Sequence, residues 1–197
     1  MLASPRTTVT DPFDAGLAPI VYRIDERDEI VFVNDAWRSF AHANDAPAVA
    51  EVIGQSLWTS ITGAETATLW REVLARVRAG AGFSLPYRCD APGRRRTLRM
   101  QLKPLPHGGV EFVSSLIRAE DRDPVALLAS HYGRGEPIRS CSWCRRFDAG
   151  GFIEVEVAIA RLGLLEQELR DVTHVLCSDC AEDVRRAAGL GGAERPG

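Results

Sequence analysis

Ile20-Val-Tyr-Arg-Ile24, the polar turn Asp25 to Glu29, Ile30-Val-Phe-Val33 and then Asn34-Asp35 set the fold class of the first half of the chain. Two β-branched and aromatic runs on either side of a short polar turn read as a hairpin. Asn34-Asp35 supplies a helix cap, and Ala36, Trp37, Phe40 and Ala41 then recur at helical spacing. Downstream, a longer helix is expected from about Glu65 to Ala79. It carries Leu69, Val73, Arg76 and Val77 on one face, Trp70 and Leu74 beside it, and Gly80 just past its end. Three strands follow, at 82–89, 94–105 and 109–117, joined by the turns Asp90-Ala-Pro-Gly93 and Pro106-His-Gly-Gly109. Leu98, Met100 and Leu102 alternate with polar residues, so one face of the middle strand is buried. Strand, strand, helices, then three strands does not alternate β with α. The expected class is α+β, a five-stranded antiparallel sheet with helices on one face.

The last third is dominated by sulfur. Cys141-Ser-Trp-Cys144 and Cys177-Ser-Asp-Cys180 repeat one C-x2-C step with 32 residues between them. Each step is a tight turn that brings two thiolates to one ion, and four soft ligands in a tetrahedron suit Zn²⁺ at about 2.3 Å per bond. A closed four-sulfur site has no position for substrate, so it reads as structural. A reduced metal-free cluster and a pair of disulfides are the alternatives. Cys177 and Cys180 open a final helix, 179–188, whose positive end favours thiolate. A strand at 152–155 and a short helix at 157–162 complete a treble-clef-like order. His174, three residues before Cys177, is expected to hydrogen-bond near the site, with direct ligation as the other reading. Trp143 is expected to pack the knuckle. Arg145 and Arg146 either offset the −2 charge of a tetrathiolate centre or face solvent. Cys89 has no partner at comparable spacing.

Bulk properties frame these pieces. The 197 residues, 45% hydrophobic and 26% charged, carry a formal charge of −3, which suits a folded soluble protein and gives no pull toward nucleic-acid backbones. No segment approaches the ~20 apolar residues of a membrane span, and residues 1–16 lack a signal-type apolar stretch, so a cytoplasmic location is expected. Lys103 is the single lysine, a bias of the kind a GC-rich bacterial genome produces. The expected division is a disordered tail 1–16, a sheet domain 17–118, a linker 119–137 with a short helix over 125–132, the cysteine module 138–188 and a disordered tail 189–197. On this division chelation should unfold 138–188 and leave 17–117 folded.

Ile30-Val-Phe-Val-Asn34-Asp-Ala-Trp37, Ile53-Gly54-x-x-Leu57, the long helix and the finish through Gly109-Val-Glu-Phe-Val113 together resemble the PAS domain family, over about 17–117. The resemblance implies a sensory or dimerising module with a ligand between sheet and helices, and hence a small-molecule ligand or a homodimer. The candidate lining is Tyr22, Phe32, Trp37, Phe40, Trp58, Trp70, Val73, Met100, Leu102 and Phe112; the same residues would serve equally as plain core. The family's flavin-binding cysteine motif is absent, and the long helix holds no histidine for haem. The last strand ends Leu116-Ile-Arg-Ala-Glu120 instead of the family's common Asp-Ile-Thr. Ile138-Arg-Ser-Cys141-Ser-Trp-Cys144-Arg-Arg with Thr173-His-Val-Leu-Cys177-Ser-Asp-Cys180 is similar to a cysteine module found at the end of bacterial PAS-containing and other two-component-type sensors. Val175 and Ser178 stand where those sequences usually have Gly and Pro.

These readings converge on a non-enzymatic signalling sensor or adaptor whose zinc module contacts a protein partner. No phosphate-binding glycine loop and no nucleophile–base spacing is present. Two alternatives remain, a transcriptional regulator using the zinc module and a thiol-based redox switch. Between Arg139 and Arg186 seven arginines face nine acidic residues, the wrong sign for phosphate contact, so no nucleic-acid partner and no membrane is expected.

Overall fold

Asn34 closes the first hairpin and opens the first helix. Its Oδ1 accepts from the Val21 amide at 3.1 Å and from the Trp37 amide at 3.0 Å, and its Nδ2 donates to the Pro19 carbonyl at 2.8 Å. One side chain therefore fixes strand, turn and helix start together. The computed structural model describes residues 18–43, 49, 51–124, 137–162 and 172–190. The first half contains β1 (Ile20–Ile24), β2 (Ile30–Val33), α1 (Asp35–Ala43), a 3-10 turn (Leu57–Thr59), α2 (Ala64–Arg78), β3 (Phe83–Arg88), β4 (Arg94–Pro104) and β5 (Val110–Asp121).

The five strands form one antiparallel sheet in the order β2-β1-β5-β4-β3. Tyr22 stands opposite Phe112, Phe112 opposite Leu102, and Leu102 opposite Phe83, so a row of large side chains crosses the inner face. Against it α2 buries Leu69, Val73, Leu74 and Val77. Such a side chain contributes about 1.5–3 kcal/mol when withdrawn from water. Arg76, expected on that face, is exposed, and its guanidinium reaches the Gly189 carbonyl at 3.4 Å. Arg78 instead anchors the C-terminal end of α2. It meets Asp28 at 2.6 Å in the left-handed hairpin turn (φ 65°) and donates to the Asp25 and Gly108 carbonyls. Gly109 is held to its residue type by a close approach, since a Cβ there would lie 2.9 Å from the Ile24 carbonyl oxygen.

The second half contains β6 (Ile138–Cys141), β7 (Phe147–Asp148), β8 (Phe152–Ile153), α3 (Val155–Leu162), β9 (Val172–Val175) and α4 (Ser178–Ala187). The sheet order is β8-β7-β6-β9, with β6 and β9 parallel. Val155, expected at the end of a strand, instead begins α3, because its buried side chain joins Ile138, Phe147 and Ala158 in a small cluster. The final strand of the first half runs to Asp121, beyond the expected end at 117, because Arg94 to Arg96 continue to pair with it. The helix expected over 125–132 and the tail 1–16 lie outside the described residues. Gly189 and Leu190, expected in a loose tail, close α4 instead: Gly189 is left-handed (φ 66°), and the Leu190 amide donates to the Arg185 carbonyl.

The two halves share an apolar cluster. Cys141, Trp143, Cys177, Cys180, Val184 and Ala188 pack with the α2 and sheet residues. Trp143 is the wedge: its ring lies 5.7 Å from Trp70 and 5.5 Å from Tyr87. Its indole donates to the Pro86 carbonyl at 2.8 Å, and its own carbonyl accepts from the Arg88 amide at 2.8 Å. Both contacts fall on the outer margin of β3, an edge strand where Pro86 itself offers no donor. Charges complete the junction. Arg88 binds Asp90 and reaches Glu154 at 2.6 Å, while Arg95 and Arg122 each reach Glu156 at 3.1 Å.

Candidate metal centre and adjoining cavity

The four cysteines arrive from two places. β6 ends on Cys141, and the knuckle turns back so that the Arg145 amide donates to the Cys141 carbonyl and the Cys141 amide to the Arg146 carbonyl. Arg145 takes a left-handed φ of 61° to make that turn. β9, in parallel register with β6, delivers Cys177 to the start of α4, and Cys180 follows one turn later. All four sulfurs lie within 4.8 Å of one another. Cys144 and Cys177 are 3.9 Å apart. Ligands 2.3 Å from a common centre at tetrahedral angles are separated by about 3.8 Å, whereas a disulfide needs about 2.05 Å. All four thiols are unbridged, which removes the disulfide reading for this state.

Burial and charge fit an ion better than four protonated thiols. Cys141, Cys177 and Cys180 are buried, Cys144 half-buried. The Cys177 amide donates to the Cys141 sulfur at 3.5 Å. Hydrogen bonds from the Cys144 and Cys180 thiols hold Cys141 far below the usual thiol range. The same bonds, seen from the donors, push Cys144 up to about 12 and Cys180 higher still. A dication at the centre would hold all four as thiolates, since metal binding displaces thiol protons. The four sulfurs can therefore hold a metal ion. Arg146 lies in the field of Cys144 and Cys177 and donates to Glu154 at 3.1 Å.

His174 is an exposed residue of β9, opposite Ser140. It is not among the four side chains whose ligand atoms converge. Its carbonyl accepts from the Thr62 hydroxyl at 3.5 Å, and the residue lines two cavities.

The larger cavity, about 410 Å³, lies between the inner face of the sheet and the cysteine knuckle. Of the expected lining residues, Tyr22, Trp70, Met100 and Phe112 do line it. Val73 and Leu102 are core, at 0% and 2% exposure. Trp37 packs edge-on against Tyr22 and donates to the Val49 carbonyl. Trp58 is held away by Asp28, which accepts from its indole at 2.8 Å, and by Arg71 stacked over its ring. Phe40 packs at the other end of the inner face with the Arg96 guanidinium over it. Phe32 is exposed at 37%, under Arg23. Alternation places Phe32 opposite in facing to Val33, the buried residue of that strand.

The remaining wall went unread in the sequence. Ser142, Trp143, Arg145 and His174 come from the cysteine half, and Tyr87 comes from β3. Tyr22 and Phe112 stack with centroids 4.3 Å apart, and the Tyr87 hydroxyl lies 3.0 Å from the Ser114 hydroxyl. Burial, then the nearby Tyr87, pushes the Tyr22 phenol well above its ordinary range; burial does the same to Tyr87. Both stay neutral at physiological pH. Sequence spacing did carry one signal for this wall, since Ser142 and Trp143 are the two residues enclosed by Cys141 and Cys144.

No family model matches the chain, and no curated protein matches it. Among solved structures it is similar to a domain of an HTR-like protein from Haloarcula marismortui. That match has 20% identity and a TM-score of 0.34, and it covers 51% of this chain and 98% of that one. Among the described residues no helix is long and apolar enough to cross a membrane.

Proposed function

We propose that this chain is a non-enzymatic signal-transduction sensor or adaptor, built from a PAS-like sheet that takes a small ligand and a zinc module that makes a protein contact. The observation that carries this reading is the shared wall: residues enclosed by two metal ligands also line the cavity of the sheet. A ligand there touches Trp143, and through it the loop between Cys141 and Cys144, so occupancy is passed to α4 and to the outer surface of the module. The antiparallel sheet with helices on its inner face, and the resemblance of Ile30 to Trp37 and of both cysteine motifs, support it further.

Zinc is the ion the donor set suits. Four thiolates with no water position favour it over harder cations, and its role would be to fix the knuckle against α4. The thiol-switch alternative is less well supported, because three of the four sulfurs are buried. Native mass spectrometry of freshly purified protein tests the reading. It is expected to show one zinc per chain, a retained or exchangeable small molecule and the subunit number. Protein without stoichiometric metal, or metal-loaded protein whose module is as mobile as the stripped form, would overturn it.

A further inference from the structure

The charge lining the cavity is one-sided. Five aromatic residues, Tyr22, Trp70, Tyr87, Phe112 and Trp143, contribute to its wall, and Arg145 is the one arginine among the described residues that line it. Among the described residues no aspartate or glutamate lines it, and both tyrosines remain neutral. Arg145 Nε is buried and has no hydrogen-bond acceptor. Arg94 and Arg95 share that condition but each reaches a carboxylate, Asp121 at 3.8 Å and Glu156 at 3.1 Å. Arg145 meets no carboxylate among the described residues. Its neighbour Arg146 is the one engaged with Glu154 and close to the sulfurs. No carboxylate among the described residues engages the Arg145 guanidinium, and a planar carboxylate matches the fork of donors at its outer end. The knuckle fixes the backbone that carries this group, because the Arg145 amide is tied to the Cys141 carbonyl and its φ is left-handed.

We propose that the cavity takes a small carboxylate with a flat aromatic body, the rings of the wall stacking on the body and Arg145 receiving the carboxylate. The assignment rests on the sensor reading above and adds to it the chemical class of the ligand. At about 410 Å³ the space suits a compact molecule of one or two rings. Because the anion-binding residue directly follows Cys144, an intact metal centre presents it and a stripped one does not.

The test uses the full metal-loaded chain with 2-naphthoate and its neutral counterpart 2-naphthamide, read by calorimetry and by quenching of the wall tryptophans. The acid should bind at least about tenfold more tightly than the amide, since a charge-assisted bidentate contact is lost in the latter. Arg145→Gln should erase that preference while keeping one zinc per chain, and Met100→Trp, which fills the cavity, should abolish binding of both probes. The acid–amide comparison on the unaltered chain holds even if a variant fails to fold. Equal binding of acid and amide, or loss of zinc as the main effect of Arg145→Gln, would overturn the carboxylate assignment and leave the cavity as a ligand site. Binding of neither probe would overturn the assignment, and if native mass spectrometry also found no retained small molecule, the ligand-sensing reading would fall with it.

Discussion

The sheet half and the cysteine half solve the same problem with different means. The first buries Ile24, Val33, Leu69, Val73, Leu74, Val77, Phe83, Leu102, Val110 and Phe112 around one another. Among the described residues the second has only Ile138, Phe147, Val155 and Ala158 as a buried cluster of its own, and its other buried apolar residues lean on the first half. A core that small supplies only a few kcal/mol against the entropy of ordering the chain. The sheet is held by burial, and the module by four sulfurs and a docked tryptophan. On the proposed reading this asymmetry is useful, because the half whose order depends on bound species is the half that can respond.

Stripping the metal tests the contrast most severely. Structural zinc contributes on the order of 10 kcal/mol in small modules, so chelation, or Cys177→Ser, should release hydrogen-exchange protection across 138–162 and 172–188. Through Trp143 the loss should extend to β3, while β1, β2 and β5 keep their protection. Full protection of β3 without metal would mean that the halves are independent. Trp143→Ala comes next, at about 3–5 kcal/mol for an aromatic side chain removed from a packed site. Thermal melts should fall for both halves together; a drop confined to the module would break the shared-core account. Glu154→Gln should cost about 1 kcal/mol, since the residue is 32% exposed and its ion pairs are partly screened.

The smallest effect is that of pH on the same carboxylate. Burial pushes Glu154 upward, but hydrogen bonds from Arg88 and Arg146 outweigh it and leave the group below its ordinary value of 4.5. Its contribution is therefore fully present above about that pH and is lost as pH falls through the lower folded-state value. Acid titration of Glu154→Gln should show a shallower loss of stability below that point than the unaltered chain; identical profiles would remove Glu154 from the junction.

Local chemistry made much of this architecture readable. Asn34 was legible as a cap because its side chain acts within three residues, and the paired C-x2-C steps named all four sulfurs. What could not be read were consequences of docking. Val172 to Val175 is a strand only because β6 lies beside it in parallel register. Trp143 looked like local packing because nothing near it in sequence reveals Trp70 or Tyr87. Residue type alone groups Phe32 and Trp58 with the cavity, yet alternation along β2 and the reach of Asp28 decide their positions. Arg145 and Arg146 are adjacent and alike in sequence. Only the left-handed turn at the first separates one that faces a cavity from one that meets Glu154.

The covered margin of β3 has a further consequence. With the Arg88 amide and the Pro86 carbonyl both engaged by Trp143, that strand has little left to offer a neighbouring molecule. Once the knuckle lets go, the same margin becomes an unprotected template for strand pairing between chains. Loss of the bound ion would then favour clumping of this protein, and the tryptophan that wedges the two halves together would double as its guard against self-association.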